Sequence, residues 1–155
     1  MKKLLLILFA FNISALCAQL VVANDSVFEE YNPSEQDLAV HNTHSTSAPP
    51  LSVSWSVYSV DVPTGWENDF YVCDAIQCYD SLKNSNTYNL DDTKQTALDV
   101  HFLNNGMEGL GTAKIRVWET ADSANTVKII TYVVNVEQGV SIQELKNLSV
   151  TTYPN

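Results

Sequence analysis

Positive charge is scarce in this chain. Eight lysines and arginines stand against eighteen aspartates and glutamates, and Lys2 and Lys3 use up two of the eight. No basic cluster interrupts the acid, so the surface repels phosphate backbones and anionic headgroups. Nucleic acid and direct headgroup binding are therefore not expected. Beyond the first residues no apolar run is long enough to cross a bilayer. The chain also lacks a G-x-S-x-G elbow, an H-E-x-x-H helix and a glycine-rich phosphate cradle. The glycines of GMEGLG (residues 106–111) do not stand between a strand and a helix, as dinucleotide binding requires. No cofactor and no catalytic set is expected. Hydrophobic residues make up 45% of the chain, ordinary for a folded protein, and no repeat appears.

What is present begins with a leader. Lys2 and Lys3 form a positive start, Leu4 to Phe11 an apolar run, and Ala15 and Ala18 a small-residue processing site. Cleavage is expected before Gln19. Lipidation at Cys17 would need small residues just before it, and Leu16 is bulky. The mature chain keeps six basic and eighteen acidic side chains, a formal charge of −12. Three segments follow: residues 1–18 a signal peptide, 19–137 one domain, and 138–155 a linker leading into a truncated sorting region.

Strands are legible from period-two alternation. In LSVSWSVYSV, Val53, Trp55 and Val57 alternate with Ser52, Ser54, Ser56 and Tyr58, a strand with one dry and one wet face. TALDVHFLN sets Leu98, Val100 and Phe102 against Asp99 and His101. TAKIRVWE sets Ala113, Ile115 and Val117 against Lys114, Arg116 and Trp118. TVKIITYVVNV puts Ile130, Tyr132, Val134 and Val136 on one face. QLVVANDSVFEEY supplies an edge strand, DLAVHNTHS a strand that loosens into THSTSAPP, and DFYVC a short strand after the VPTGW turn. The stretch SLKNSNTYNLDDTKQ reads as polar connection, and VSIQELKNLSV as the only candidate helix. Each strand buries one stripe, so two sheets must face each other. The expectation is an all-β, Ig-like Greek-key sandwich of about seven antiparallel strands, with Trp55, Phe102, Ile115, Val117 and Tyr132 at its centre.

Cys73 and Cys78, four residues apart in GWENDFYVCDAIQCYD, admit several readings. A redox pair is usually C-x-x-C at a helix N-terminus, and these flanks read as strand and turn. Zinc needs four ligands, and His41, His44 and His101 all lie far away in sequence. Blue copper needs two histidines beside a cysteine and a weak axial ligand; Tyr79 follows Cys78, and Met107 is in another loop. In an exported chain an even number of mature cysteines pairs by default, so a structural disulfide is expected and no metal.

The acid pairs Glu29-Glu30 and Asp91-Asp92 read as solvated loop charge rather than a calcium site, and His101 as a surface histidine. The best functional hint is aromatic. Trp118 lies out of phase with Ile115 and Val117, Tyr58 is on the wet face, and Trp66 and Tyr79 flank the cysteine loop. Such rings stack on sugars or anchor a protein partner, so Trp118, Trp66, Tyr58 and Tyr79 are the candidate ligand-binding residues. The competing reading puts Trp66 at one end of the core and Trp118 under a tail.

KNLSVTTYPN resembles the junction where type IX secretion sorting domains begin, at Tyr153, Pro154 and Asn155. The VSWSV strand, the PTGW turn, the VCD…CY pair and VHFLNNGMEGLGTAKIRV resemble a small Ig-like module that accompanies such tails. The resemblance implies a domain exported through the periplasm to the cell surface or the medium, with no catalytic residues and no ligand assigned. The leading functional expectation is a non-enzymatic protein-interaction or spacer module with an unknown partner. A carbohydrate-binding module using the exposed aromatics is the alternative, and a metal-binding periplasmic domain a third.

Overall fold

Four strongly alternating runs supply the dry stripes that meet at the centre of the molecule. A computed structural model describes residues 19–66, 70–80, 82–91 and 95–138. The leader, the linker with Tyr153–Asn155 and the expected helix in VSIQELKNLSV lie outside the described residues.

The strands are β1 (Leu20–Val22), β2 (Ser26–Tyr31), β3 (Asp37–Val40), β4 (Thr43–Thr46), β5 (Leu51–Asp61), β6 (Phe70–Cys73) and β7 (Cys78–Tyr79). They continue with β8 (Ser85–Leu90), β9 (Gln95–Ala97), β10 (Asp99–Leu103), β11 (Gly109–Glu119) and β12 (Lys128–Val136). One helical turn, α1 (Ser123–Thr126), joins the last two. One sheet has the order β2-β12-β11-β5-β8.

The opposing sheet is assembled from two smaller ones, β1-β4-β9 and β3-β10-β6-β7. Their registers run on: Val40 faces Val100, Thr43 faces Ala97, and the Leu98 N–H bonds the Asn42 carbonyl at 2.9 Å between them. Thus β3–β4 and β9–β10 are two long strands with a shared kink. Buried Asn42 pins it, its amide donating to the Asn24 carbonyl at 2.7 Å and its side-chain oxygen accepting from the Thr43 N–H at 2.9 Å. The kink divides two long strands into four of the twelve strand segments among the described residues, where about seven strands were expected.

All neighbouring strands are antiparallel except β2, which runs parallel to β12. The cause is a change of sheet. QLVVANDSVFEEY, read as one edge strand, is broken at Ala23–Asp25, so β1 edges one sheet and β2 edges the other without reversing. The Asp25 carbonyl starts the new ladder by accepting from the Thr131 N–H at 3.0 Å.

The core contains every residue expected at its centre: Trp55, Phe102, Ile115, Val117 and Tyr132 are all buried. The Tyr132 hydroxyl crosses between the sheets to the Leu98 carbonyl at 2.7 Å, keeping a polar atom satisfied inside. THSTSAPP was expected to be loop, yet β4 reaches Thr46 and buries His44 and Thr46. β8 emerges from the stretch read as polar connection, with Tyr88 and Leu90 facing inward.

Trp66 fills one end of the core. Gly65 turns the chain at φ 99°, and the Trp66 N–H returns to the Pro63 carbonyl at 3.1 Å. The inward stripe of β11 has no side chain at Gly111, where a Cβ would come within 2.7 Å of the Trp66 ring. A missing side chain on β11 makes room for a tryptophan from the turn after β5.

Candidate functional site

On β11 the outward positions are Lys114, Arg116 and Trp118, alternating with buried Ala113, Ile115 and Val117. The neighbouring β5 presents serine at the same level: Ser56 lies beside Arg116 and Ser54 beside Trp118. The next strand, β8, sets Ser85 beside Ser56 and Thr87 beside Ser54. On the other side, β12 sets Ile129 beside Arg116. The surface around Trp118 is therefore a grid of hydroxyls on one flank and apolar side chains on the other.

A register shift in β5 opposite Lys114 and Ile115 makes Tyr58 the extra residue of a β-bulge. Inward positions change phase there, from Val53, Trp55 and Val57 to Val60 and Val62, which pack on the core. Tyr58 is left 51% exposed, with the Arg116 guanidinium carbon 4.2 Å from its ring centroid. The approach is a cation–π contact.

Two open troughs meet at Trp118. One, of about 620 Å³, is lined by Ser56, Arg116, Trp118, Ser123, Val127 and Ile129. The other, of about 440 Å³, runs over Ser54, Ser56, Ser85, Asn86 and Thr87 on the far side of the ring. Ser54 is buried and engaged, its hydroxyl 2.9 Å from that of Thr87 and 2.8 Å from that of Thr120. Neither lining contains a carboxylate.

The four candidate aromatics separate. Trp118 is half-buried between the troughs, and Tyr58 is exposed beside Arg116. Trp66 and Tyr79 are core residues, at 5% and 6% exposure; for Trp66 this is the reading that sets it at one end of the core, whereas Tyr79 was offered only as a ligand-binding candidate. Trp66 meets Phe102 edge-on, and Tyr79 packs at a tilt on Trp55. Their rings are spent on packing, so the two candidate positions at the surface are Trp118 and Tyr58. Arg116 and the serines are the members that the aromatic pattern alone did not single out. Their signal was the shared outward phase of Arg116 and Trp118 opposite alternating serines.

Cys73 and Cys78 face each other in the β6–β7 hairpin and are joined by a disulfide, as the staple reading requires. Asp74, the next residue, organises the turn. Its Oδ1 accepts from the Ile76 and Gln77 N–H groups at 2.9 and 3.4 Å. Its Oδ2 accepts from the Trp55 indole N–H at 2.8 Å and the Asn86 amide at 2.9 Å. That amide also reaches the Tyr79 hydroxyl at 2.6 Å, and the Lys83 ammonium lies 4.0 Å over the Tyr79 ring. The hairpin is thus bonded to the core at Asp74 independently of the sulfur bridge. Changing both cysteines to alanine is expected to lower stability by about 2 kcal/mol, the loop-closure value for so short a ring. Urea unfolding measures it, and native β-sheet circular dichroism should persist.

The histidines lie apart. His41 pairs with Asp99 at 3.0 Å, His101 with Asp37 at 2.8 Å, and His44 is buried against Tyr88. Among the described residues no three His, Cys, Asp or Glu side chains come together as a metal site would need.

Two packed sheets, one closed by a parallel edge strand, define an Ig-like β-sandwich. No protein-family model matches the chain, and no curated protein sequence does. Among solved structures it is similar to the N-terminal domain of PorA, with a TM-score of 0.55 at 13% identity, over 79% of this chain and all of that domain. A PapD-like domain of human CEP192 is similar with a TM-score of 0.45 at 12% identity, over 79% of this chain and 87% of that one. The CooA pilin subunit of enterotoxigenic Escherichia coli is similar with a TM-score of 0.42 at 12% identity, over 77% and 98%. At these identities the likeness is one of fold.

Proposed function

We propose that this chain is an exported, non-enzymatic interaction module, acting at the cell surface or outside the cell through the outer face of its five-stranded sheet. The observation that carries the reading is the placing of Trp118. Trp55 and Trp66 are buried, whereas Trp118 keeps part of its ring at the junction of two open troughs. A partly buried tryptophan whose ring edges a concave, hydroxyl-lined surface is a ready stacking platform. Export is supported by the leader pattern of residues 1–18 and by the disulfide, since such bonds persist in oxidising compartments.

A saccharide suits the troughs best. The ring offers a flat apolar face for sugar C–H groups. The hydroxyls of Ser56 and Ser85, which bond no other described residue, are available to sugar hydroxyls. A glycan array probed with the full exported chain should give hits that Trp118→Ala abolishes. The variant should keep native β-sheet circular dichroism and a cooperative urea transition, so that lost binding is distinguished from lost folding. A blank array, or hits that survive Trp118→Ala, would refute the saccharide assignment. A protein partner is the second reading, favoured by exposed Phe28, Leu110, Val127 and Ile129 on the same face. An enzymatic turnover lost on changing one polar side chain would overturn the non-enzymatic part.

A further inference from the structure

Arg116 gives the troughs a sign. The geometry points to a saccharide that carries a carboxylate, held by the Arg116 guanidinium while the sugar ring lies against Trp118. The inference rests on the saccharide reading and narrows it.

Arg116 and Trp118 are two residues apart on one face of β11, roughly 7 Å along the strand, about one sugar unit. Both line the larger trough, with the Ser56 hydroxyl beside them. Tyr58 holds the guanidinium by a cation–π contact at 4.2 Å, which uses none of its N–H donors in a hydrogen bond. Among the described residues Arg116 makes no hydrogen bond and no ion pair. In a chain with so many carboxylates, an arginine without one is a charge kept for something else.

The surroundings agree in sign. No acid lines either trough. On β5 the acid on this face is Asp61, opposite Thr112, while Arg116 lies opposite Ser56. That separation is roughly 14 Å along the strand, beyond a Debye length at physiological salt. Lys114, exposed and also outward, stands between them. Arg116 is thus the one charged side chain among the residues that line the two troughs, on a chain that is acid overall. An anionic sugar is attracted there and repelled elsewhere, which selects the orientation as well as the ligand. A planar guanidinium accepts a carboxylate through two parallel N–H···O bonds, a match that a neutral hydroxyl does not offer.

The test compares each acidic sugar with its own neutral form. Trigalacturonate, a hyaluronan tetrasaccharide and 3′-sialyllactose are titrated into the full exported chain by calorimetry, each beside its carboxyl methyl ester. At least one acid should bind about tenfold or more tighter than its ester at low salt, with the gap narrowing as salt rises. Arg116→Gln should erase the gap while leaving ester affinity unchanged, and Trp118→Ala should abolish binding of both forms. Esters that bind as tightly as acids, or a preference that survives Arg116→Gln, would overturn the charge assignment and leave the saccharide reading standing. Absence of binding by every acid and every ester would overturn both.

Discussion

Asp74→Ala is expected to lower the unfolding free energy by about 3 kcal/mol, more than loss of the disulfide that flanks it. The reason is the partner it strands. The Trp55 indole N–H is fully buried and donates to Asp74 Oδ2 at 2.8 Å. Removing the carboxylate leaves that N–H without an acceptor, at the cost of an unmade buried hydrogen bond. Asn86 loses a 2.9 Å bond at the same oxygen, and the turn loses two backbone donors at Oδ1. Asp74→Asn keeps a neutral oxygen in place and should cost about half as much. A double-mutant cycle with Trp55→Phe isolates the contact, because the second substitution should cost less once the first has been made. Fully additive losses, or a loss under about 1 kcal/mol for Asp74→Ala, would show that the disulfide alone holds the hairpin.

This hairpin also shows where sequence pattern stops informing. Period-two alternation identified β5, β10 and β11 by a polar face opposite an apolar one, and β12 by the stripe Ile130, Tyr132, Val134 and Val136, although Ile129 and Val133 lie on its other face. It carried the core centre with it, from Trp55 to Tyr132. It did not reveal that Tyr79 is buried. That depends on Asn86 and Trp55, which approach it only when β8 and β5 pair. β8 itself was hidden because SNTYNL contains only two large apolar residues, enough for an edge strand with one buried stripe. Trp66 takes the place at one end of the core that was one of its two readings, but the sequence does not show what makes room for it there. Its pocket is created by the absence of a side chain at Gly111, distant in sequence.

Local irregularities were legible only in retrospect. The spacing Val57, Val60, Val62 breaks alternation by one residue, and the bulge at Tyr58 is its cause. That bulge sets Tyr58 under Arg116, so the most informative side chain of the candidate site depends on a break in the very pattern that identified the strand. Conversely, the outward phase of Arg116 and Trp118 was plain from TAKIRVWE. Its significance came from the serines of β5 and β8 brought alongside, a juxtaposition that sets Trp118 beside Ser54, 64 positions earlier.

His44 supplies the other large expected effect, as a loss of stability in acid. Its ring is fully buried in β4; Nδ1 shares a hydrogen bond with the Tyr88 hydroxyl, and Nε2 has no partner among the described residues. Burial, reinforced by the charge of Lys128, pushes its pKa down to about 4 from 6.5. Above pH 6.5 the ring is neutral in the folded and the unfolded chain, and stability is independent of its titration. As pH falls from 6.5 toward 4 the unfolded chain takes up a proton that the folded chain refuses, so the folded state loses ground. The accumulated loss at pH 4 is about 3 kcal/mol, and below that the two states titrate alike. Urea midpoints measured from pH 7.5 to 4 on the parent and on His44→Gln separate this group from the carboxylates, which titrate in both proteins. The parent curve should fall more steeply between pH 6.5 and 4, and a histidine NMR titration should show one ring still neutral near pH 4.5. Parallel curves, together with a His44 ring that protonates near 6.5, would mean that the ring reaches water and that the buried pairing with Tyr88 is wrong.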